Sequence, residues 1–244
     1  MSGAKALAAR ARRRRPAEGG YTRGDETRSR IIAAALDVFG AHGFGGASTR
    51  MLAEAAGVTL PALHYYFDSK EGVYLACAEH IAQRLDVQFG ALTNEIAAAL
   101  ASERRPSRER VREMLLRFVD GLAVFFLGAH ELEKWVMFII REQAQPTKAF
   151  DIIFERVMRR TFDCCADLVG RLLDRPQSDI EVRLRALTLV GQIVFFRTAR
   201  EAALRLTGWP DFDGERLMLV TRSFGEQIDA SFPARHKPAS RRPS

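Results

Sequence analysis

Residues 48–70 constrain this chain more than any other stretch, because they prescribe two short helices crossed over a turn that has room for little else. Ala56-Gly57-Val58 lies between the helices, and Gly57 is where the first one stops by turning its backbone to positive φ, which a Cβ opposes. Ala53, four residues earlier, faces the same turn, where a larger side chain would hold the helices apart. Leu52, Ala56, Val58 and Leu63 supply the small core between them. Thr59 is placed to cap the second helix, and Pro61 falls in its first turn, where a missing N–H costs nothing. That helix, Leu60–Phe67, spans about 12 Å at about 1.5 Å per residue, long enough to probe a surface and too short to be stable alone.

Around this motif the apolar spacing is helical, and no stretch alternates long enough to argue for a strand, so the expected class is all-α. A helix at about 26–41 buries Ile31, Ala35, Leu36 and Phe39, then stops in Gly43-Phe44-Gly45-Gly46. Without a following Gly-Lys-Ser/Thr that loop is a connector, not a phosphate cradle. Ser69 caps a fourth helix at about 70–101. Beyond a polar break at 103–107, helices are expected at about 108–127, 131–143, 148–174, 179–206 and 213–232, with stops at Arg175-Pro176-Gln177-Ser178 and Gly208-Trp209-Pro210. Phe150, Phe154, Val157, Thr161, Cys164 and Leu168 recur at three- and four-residue steps, the stripe of a core-facing helix.

With 244 residues, 47% of them apolar, the chain can bury a full core in one or two domains. The net charge of +7 is unevenly spread. Residues 1–24 hold seven basic and one acidic side chain (+6) and residues 235–244 four basic ones (+4), so the total leaves −3 for residues 25–234. Any basic face on the folded body is therefore local. Residues 1–24, with Arg12 to Arg15 in a row, lack the apolar run of a secretory signal. They read as a disordered basic arm, either simply solvated or bound to phosphates; residues 235–244 read as a disordered basic tail. The apolar runs 122–127 and 187–196 break well before the roughly 20 residues a membrane helix needs, so a soluble, cytoplasmic chain without a membrane partner is expected. Cys77, Cys164 and Cys165 give no disulfide framework. Cys77 and His80 have a metal-ligand spacing with no second pair nearby, so a small buried thiol is the better reading, and neither metal nor cofactor is expected. Vicinal Cys164-Cys165 reads as packing before oxidation sensing.

Thr27-Arg28-Ser29-Arg30-Ile31-Ile32, Ala35, Phe39, Gly43-Phe44, Ser48-Thr49, Ala53, Ala56-Gly57-Val58, Tyr65-Tyr66-Phe67 and Ser69-Lys70-Glu71 together resemble the DNA-binding domain of the TetR family of bacterial transcriptional regulators. Arg141-Glu142-Gln143-Ala144-Gln145-Pro146-Thr147-Lys148-Ala149-Phe150 is similar to the effector-domain segment of the CecR-like branch. The resemblance implies a three-helix, helix-turn-helix DNA-binding domain at 25–85 joined to a larger helical bundle at 86–234 for effector binding and dimerisation. It also implies residue roles. Thr49 and Arg50 open the first helix of the motif, where free N–H groups meet a phosphate and Arg50 reaches a phosphate or a guanine edge. Leu60, Pro61, Ala62 and His64, behind the Thr59 cap, lie on the exposed start of the probe helix, with His64 facing the groove where the family often has Tyr. Tyr65, Tyr66 and Lys70 clamp the DNA backbone, while Leu63 and Phe67 fill the core.

One such head reads half a site, so specificity calls for a homodimer holding two probes about 34–36 Å apart. Leu189, Ile193 and Phe196, with Leu217, Val220, Phe224 and Ile228, form stripes that two subunits can pair, or that stay inside one subunit. Phe118, Leu122, Phe125, Phe126, Trp135, Phe138, Phe150 and Phe154, with Arg141, Glu142 and Gln145 as polar anchors, are either ordinary core or the wall of a small-molecule pocket. The expected function is a homodimeric repressor released from a palindromic double-stranded DNA operator by a small apolar or aromatic effector. The alternatives are a constitutive regulator or an activator without small-molecule control. An all-α enzyme fares worst, because no nucleophile–base pair, metal cluster or phosphate loop occurs at telling spacings.

Overall fold

The computed structural model describes residues 23–103, 105–128 and 133–233. The basic tail, nearly all of the basic arm and the first two residues of the helix expected at 131–143 lie outside them. Helix α1 (Arg23–Gly46) starts earlier than expected, and its helical geometry is interrupted at Gly43, with φ 68° and ψ 177°. Ser48 Oγ accepts from the Met51 N–H to start α2 (Thr49–Ala55), and Gly57 ends the turn at φ 62°. Thr59 Oγ1 accepts from the Ala62 N–H at 3.3 Å to start α3 (Leu60–Phe67), so both the cap and the helix bounds agree with the sequence reading. Ser69 caps α4 (Lys70–Ser102), accepting from the Gly72 N–H at 3.1 Å. At about 50 Å, α4 is long enough to serve the helix-turn-helix head at one end and the bundle at the other.

The bundle follows as α5 (Arg108–Gly128), α6 (Glu133–Ala144), α7 (Lys148–Ile153), α8 (Arg159–Leu173), α9 (Ile180–Thr198), α10 (Arg200–Thr207) and α11 (Gly214–Ser231). Helix α5 is its axis and packs on α8, α9 and α11 with Leu115, Phe118, Val119 and Leu122 buried. Helix α6 packs on α1 and α7 on α4, so the bundle grips the head from two sides. The chain is all-helical, with no strand among the described residues.

Two expected helices are subdivided. The stretch 148–174 carries a π-helical turn at Phe154–Met158 between α7 and α8, and Thr161 Oγ1 donates back to the Val157 carbonyl at 2.9 Å just beyond it. The stretch 179–206 divides at Ala199 (φ −101°, ψ 31°), which lets α10 tuck Ala203 and Leu204 against the bundle. Neither break has a Gly or Pro to announce it.

Candidate nucleic-acid interface and effector cavity

Helix α3 divides its residues cleanly. Leu63 and Phe67 point inward and are buried, while Thr59, Pro61 and His64 are exposed, Leu60 is 40% exposed and Tyr65 83%. Ala62 and Tyr66 are half-buried, the Tyr66 ring lying edge-on to Tyr65 at 5.3 Å. Arg28 sits over the inner Phe67 ring, holding α3 against α1. His64 Nδ1 lies 2.9 Å from the Asp68 carbonyl; a carbonyl only accepts, so Nδ1 is the donor in this contact. Arg50 is exposed and Thr49 half-buried at the start of α2. An exposed apolar and aromatic face on a short helix, with a free arginine beside it, is the surface a major groove accepts.

Lys70 is placed differently from the rest of this set. Its ammonium donates to the carbonyls of Phe44 (2.9 Å) and Ala47 (3.0 Å) and lies 4.3 Å above the Phe44 ring, fastening the α1–α2 connection to the start of α4. Two of its three donors are thus engaged within the chain.

The polar anchors expected beside the aromatic set stand instead at the junction of head and bundle. Arg141 Nη2 donates to the carbonyls of Gly40 and Ala41, and a Cβ on Gly43 would lie 3.0 Å from Arg141 Nη1. Glu142, only 2% exposed, accepts from the Tyr74 hydroxyl at 2.6 Å, from the Thr147 N–H at 3.1 Å and hydroxyl at 2.8 Å, and from the Phe150 N–H at 2.9 Å. One carboxylate therefore joins α4, α6 and the start of α7. Burial, and after it the bond to Glu142, pushes the Tyr74 phenol well above its ordinary range. The Tyr74 ring meets Phe138 (4.5 Å), Phe39 (4.8 Å) and Phe44 (5.0 Å). Gln145 lines an open cleft beside them with His42 and Phe44.

The bundle contains a cavity of about 90 Å³ between α4, α5, α6, α8 and α9. Of the residues expected in a pocket, Leu122 and Phe126 line it. The others are placed elsewhere: Phe118 in the bundle core, Phe125 edge-on to Phe89, Trp135 against His80, Phe138 on Tyr74, and Phe150 stacked on Phe154. Sequence reasoning missed Leu85, Phe89, Val136, Ile139, Ile140, Gln143, Val190, Val194 and Arg197. Aromatic richness is a poor locator here, because rings at helical spacing satisfy one another in the core.

The proposed pairing stripe is corrected in the same way. Leu189, Ile193, Val220, Phe224 and Ile228 are buried inside the single subunit, and Phe196 and Leu217 are half-buried, Phe196 meeting Phe212 and Phe224 edge-on. Exposed apolar side chains lie on the other faces of the same helices: Leu184, Leu187 and Phe195 on α9, Met218 and Leu219 on α11. Gly191, with open space around it, lies between Leu187 and Phe195. Cys77 and Cys165 are buried and Cys164 is half-buried. Burial raises the Cys77 and Cys165 thiols, and burial followed by Asp167 brings Cys164 up to about 12, a direction that disfavours the nucleophilic thiolate.

Residues 31–77 match the family described as bacterial regulatory proteins of the tetR family, and residues 111–235 match the C-terminal domain of the HTH-type transcriptional dual regulator CecR. The CecR regulator of Shigella flexneri is 34% identical over 207 residues, 85% of this chain and 92% of that protein. The RutR regulator of Escherichia coli K12 is 47% identical over 51 residues, 21% of this chain and 24% of that protein. Among solved structures, AibR in complex with isovaleryl coenzyme A and operator DNA superposes with a TM-score of 0.55 at 14% identity, covering 85% of this chain and 98% of that one. FadR of Bacillus subtilis with stearoyl-CoA gives 0.53 at 16% identity, covering 85% and 99%. The chain belongs to the TetR family of bacterial transcriptional regulators, with a C-terminal domain of the CecR type. It is accordingly a DNA-binding regulator and not an enzyme.

Proposed function

We propose that a homodimer of this chain represses transcription from a two-fold symmetric operator and leaves it when a small, mostly apolar effector fills the bundle cavity. In this reading residues 25–85 hold the DNA and residues 86–234 hold the effector and the second subunit. The observation that carries it is the outward face of α3, where Leu60, Pro61, His64 and Tyr65 are exposed on a helix capped and fastened from behind. Thr49 and Arg50 add a helix N-terminus and a cation for phosphates, Ala62 a small contact, and Tyr66 and the remaining donor of Lys70 a second backbone contact. The exposed apolar faces of α9 and α11 are where a second copy would pack, in place of the buried stripe that the family resemblance favoured.

Helix α6 is the mechanical link. Val136, Ile139, Ile140 and Gln143 line the cavity, while Arg141 and Glu142 on the same helix hold the carbonyl end of α1 and Tyr74 of α4. A ligand that displaces α6 moves the head relative to its partner, provided it binds one dimer shape better than the other; a ratio of about 100-fold supplies about 2.7 kcal/mol. The complexes of AibR and FadR, named with acyl-CoA ligands, support a fold able to open around such molecules. No helix among the described residues is long and apolar enough to cross a membrane, which agrees with a cytoplasmic site of action at the DNA.

Selection of binding sites from random duplex DNA with the purified chain tests the reading. The expected product is a palindrome with half-site centres one helical turn, about 10–10.5 bp, or a multiple of it apart. Recovery of unrelated sequences bound equally well would overturn it.

A further inference from the structure

DNA is a polyanion, yet the part of this chain that meets it carries no excess of positive charge. Residues 25–85 hold five basic and seven acidic side chains (5 − 7 = −2). Two of those cations are also engaged within the chain: Lys70 donates to the Phe44 and Ala47 carbonyls, and Arg28 lies over the Phe67 ring. Such a head can read bases but neutralises few phosphates, and phosphate neutralisation is what supplies sequence-independent affinity. The positive charge stands just before α1. Residues 1–24 hold seven basic side chains against one acidic, with four arginines in succession from Arg12 to Arg15.

The fold decides where that charge is delivered. Arg141 of α6 donates to the carbonyls of Gly40 and Ala41, so the later end of α1 is the one tied to the bundle. The start of α1 is about 27 Å away from there, at about 1.5 Å per residue, and lies beside α3, where Arg28 sits 5.1 Å from the Phe67 ring centroid. The chain before Arg23 therefore departs next to the probe helix. Arg15 and Arg12 precede Arg23 by eight and eleven residues, a reach of up to about 25 to 40 Å, well past the roughly 12 Å that α3 spans. The other basic segment leaves from the opposite pole. Arg112 pairs with Asp229, and Arg108 Nη2 donates to the Pro233 carbonyl at 3.5 Å, which sets the end of α11 against the start of α5. Arg110 and Glu103 hold that start beside the end of α4, about 50 Å along the helix from Lys70.

We infer that the segment carrying Arg12 to Arg15 is a DNA-binding arm, which neutralises backbone phosphates of the duplex flanking the half-site under α3. Phosphates are the same on every sequence, so the arm raises affinity for all DNA and leaves base discrimination to α3. Only a head that meets DNA is needed for this; neither the dimer nor the effector enters.

Fluorescence anisotropy across salt tests it on three full-length chains: wild type, an arm variant (Arg12→Ala, Arg13→Ala, Arg14→Ala, Arg15→Ala) and a tail variant (Arg235→Ala, Lys237→Ala, Arg241→Ala, Arg242→Ala), each checked by a thermal melt. On the selected operator with about 10 bp of flank on either side, the arm variant should bind at least about tenfold more weakly at about 0.1 M salt. Its slope of log affinity against log salt should be shallower by at least about 2, since each phosphate contact is worth about 0.9. Shuffled duplex of the same length should show the same loss, and the tail variant should show neither. Trimming the duplex to the palindrome should bring the wild-type chain down towards the arm variant, a readout that needs no substitution. An unchanged slope in the arm variant, an equal loss in the tail variant, or wild-type affinity indifferent to the flanks would each overturn the inference. A slope difference that persists on random duplex when no palindrome can be selected keeps the arm and rejects the two-fold operator; a palindrome bound with equal slopes keeps the operator and rejects the arm.

Discussion

Helices α3 and α9 both carry many apolar residues, yet they use them in opposite ways. In α3, local signals fix which side is out: a Thr59 cap, a positive-φ Gly57 before it and Ser69 after it leave one phase, with Leu63 and Phe67 inside and Leu60 and Tyr65 outside. In α9, Val190 and Ile193 face the interior while Leu184, Leu187 and Phe195 face solvent, so apolar residues lie on both flanks and periodicity does not say which flank meets a partner. A short helix with strong caps announces its exposed face; a long one packed on several neighbours acquires its faces from them.

The largest expected effect sharpens that contrast on the last helices. Phe224→Ala empties a fully enclosed ring site and should cost about 3–5 kcal/mol in urea unfolding. Phe195→Glu changes a 62% exposed residue and should shift folding of the subunit by no more than about 0.5 kcal/mol, yet convert a dimer to monomer in sedimentation. Equal folding losses from the two would erase the distinction between inner and outer faces. The next effect lies at the junction, where Glu142→Ala leaves Tyr74, Thr147 and Phe150 donors without their acceptor and should cost about 3 kcal/mol, measured the same way. Gly43→Ala follows. Its φ of 68° with ψ near 180° is a region open almost only to glycine, and the added methyl meets Arg141, so a loss on the order of 1–3 kcal/mol is expected.

The smallest effect is a pH dependence of the bundle side of α4. Burial, and then Arg84, holds the His80 imidazole below its ordinary value of 6.5. The folded chain therefore binds this proton less readily than the unfolded one. Stability from this source is full above pH 6.5 and is lost as pH falls through the lowered value. Thermal melts from pH 7.5 to about 5 should show the loss, and His80→Gln should flatten it.

The head was legible because its signals are local. The Leu60–Phe67 helix, the Thr59 and Ser69 caps and the Gly57 turn all follow from residues within a few positions of each other. The cavity was not, because Leu85, Leu122, Ile139, Val157 and Val194 come from five separate elements and only the fold brings them together. Lys70 shows the same limit inside the head: its motif position suggested a phosphate contact, while its engagement with Phe44 and Ala47 depends on where a glycine-rich connection folds back. The stop at Ala199 and the π turn at Phe154–Met158 have no local marker at all.

The most direct test of the account is the affinity of the Leu60→Ala, Tyr65→Ala double variant for the selected palindrome and for shuffled duplex of equal length, measured by fluorescence anisotropy across salt. Because these side chains are exposed and uncharged, so that removing them takes away DNA contacts without removing any phosphate-neutralising charge, the account predicts a loss of at least about tenfold on the palindrome, an unchanged salt slope and an unchanged thermal midpoint. Wild-type discrimination between palindrome and shuffled DNA in that variant would contradict it.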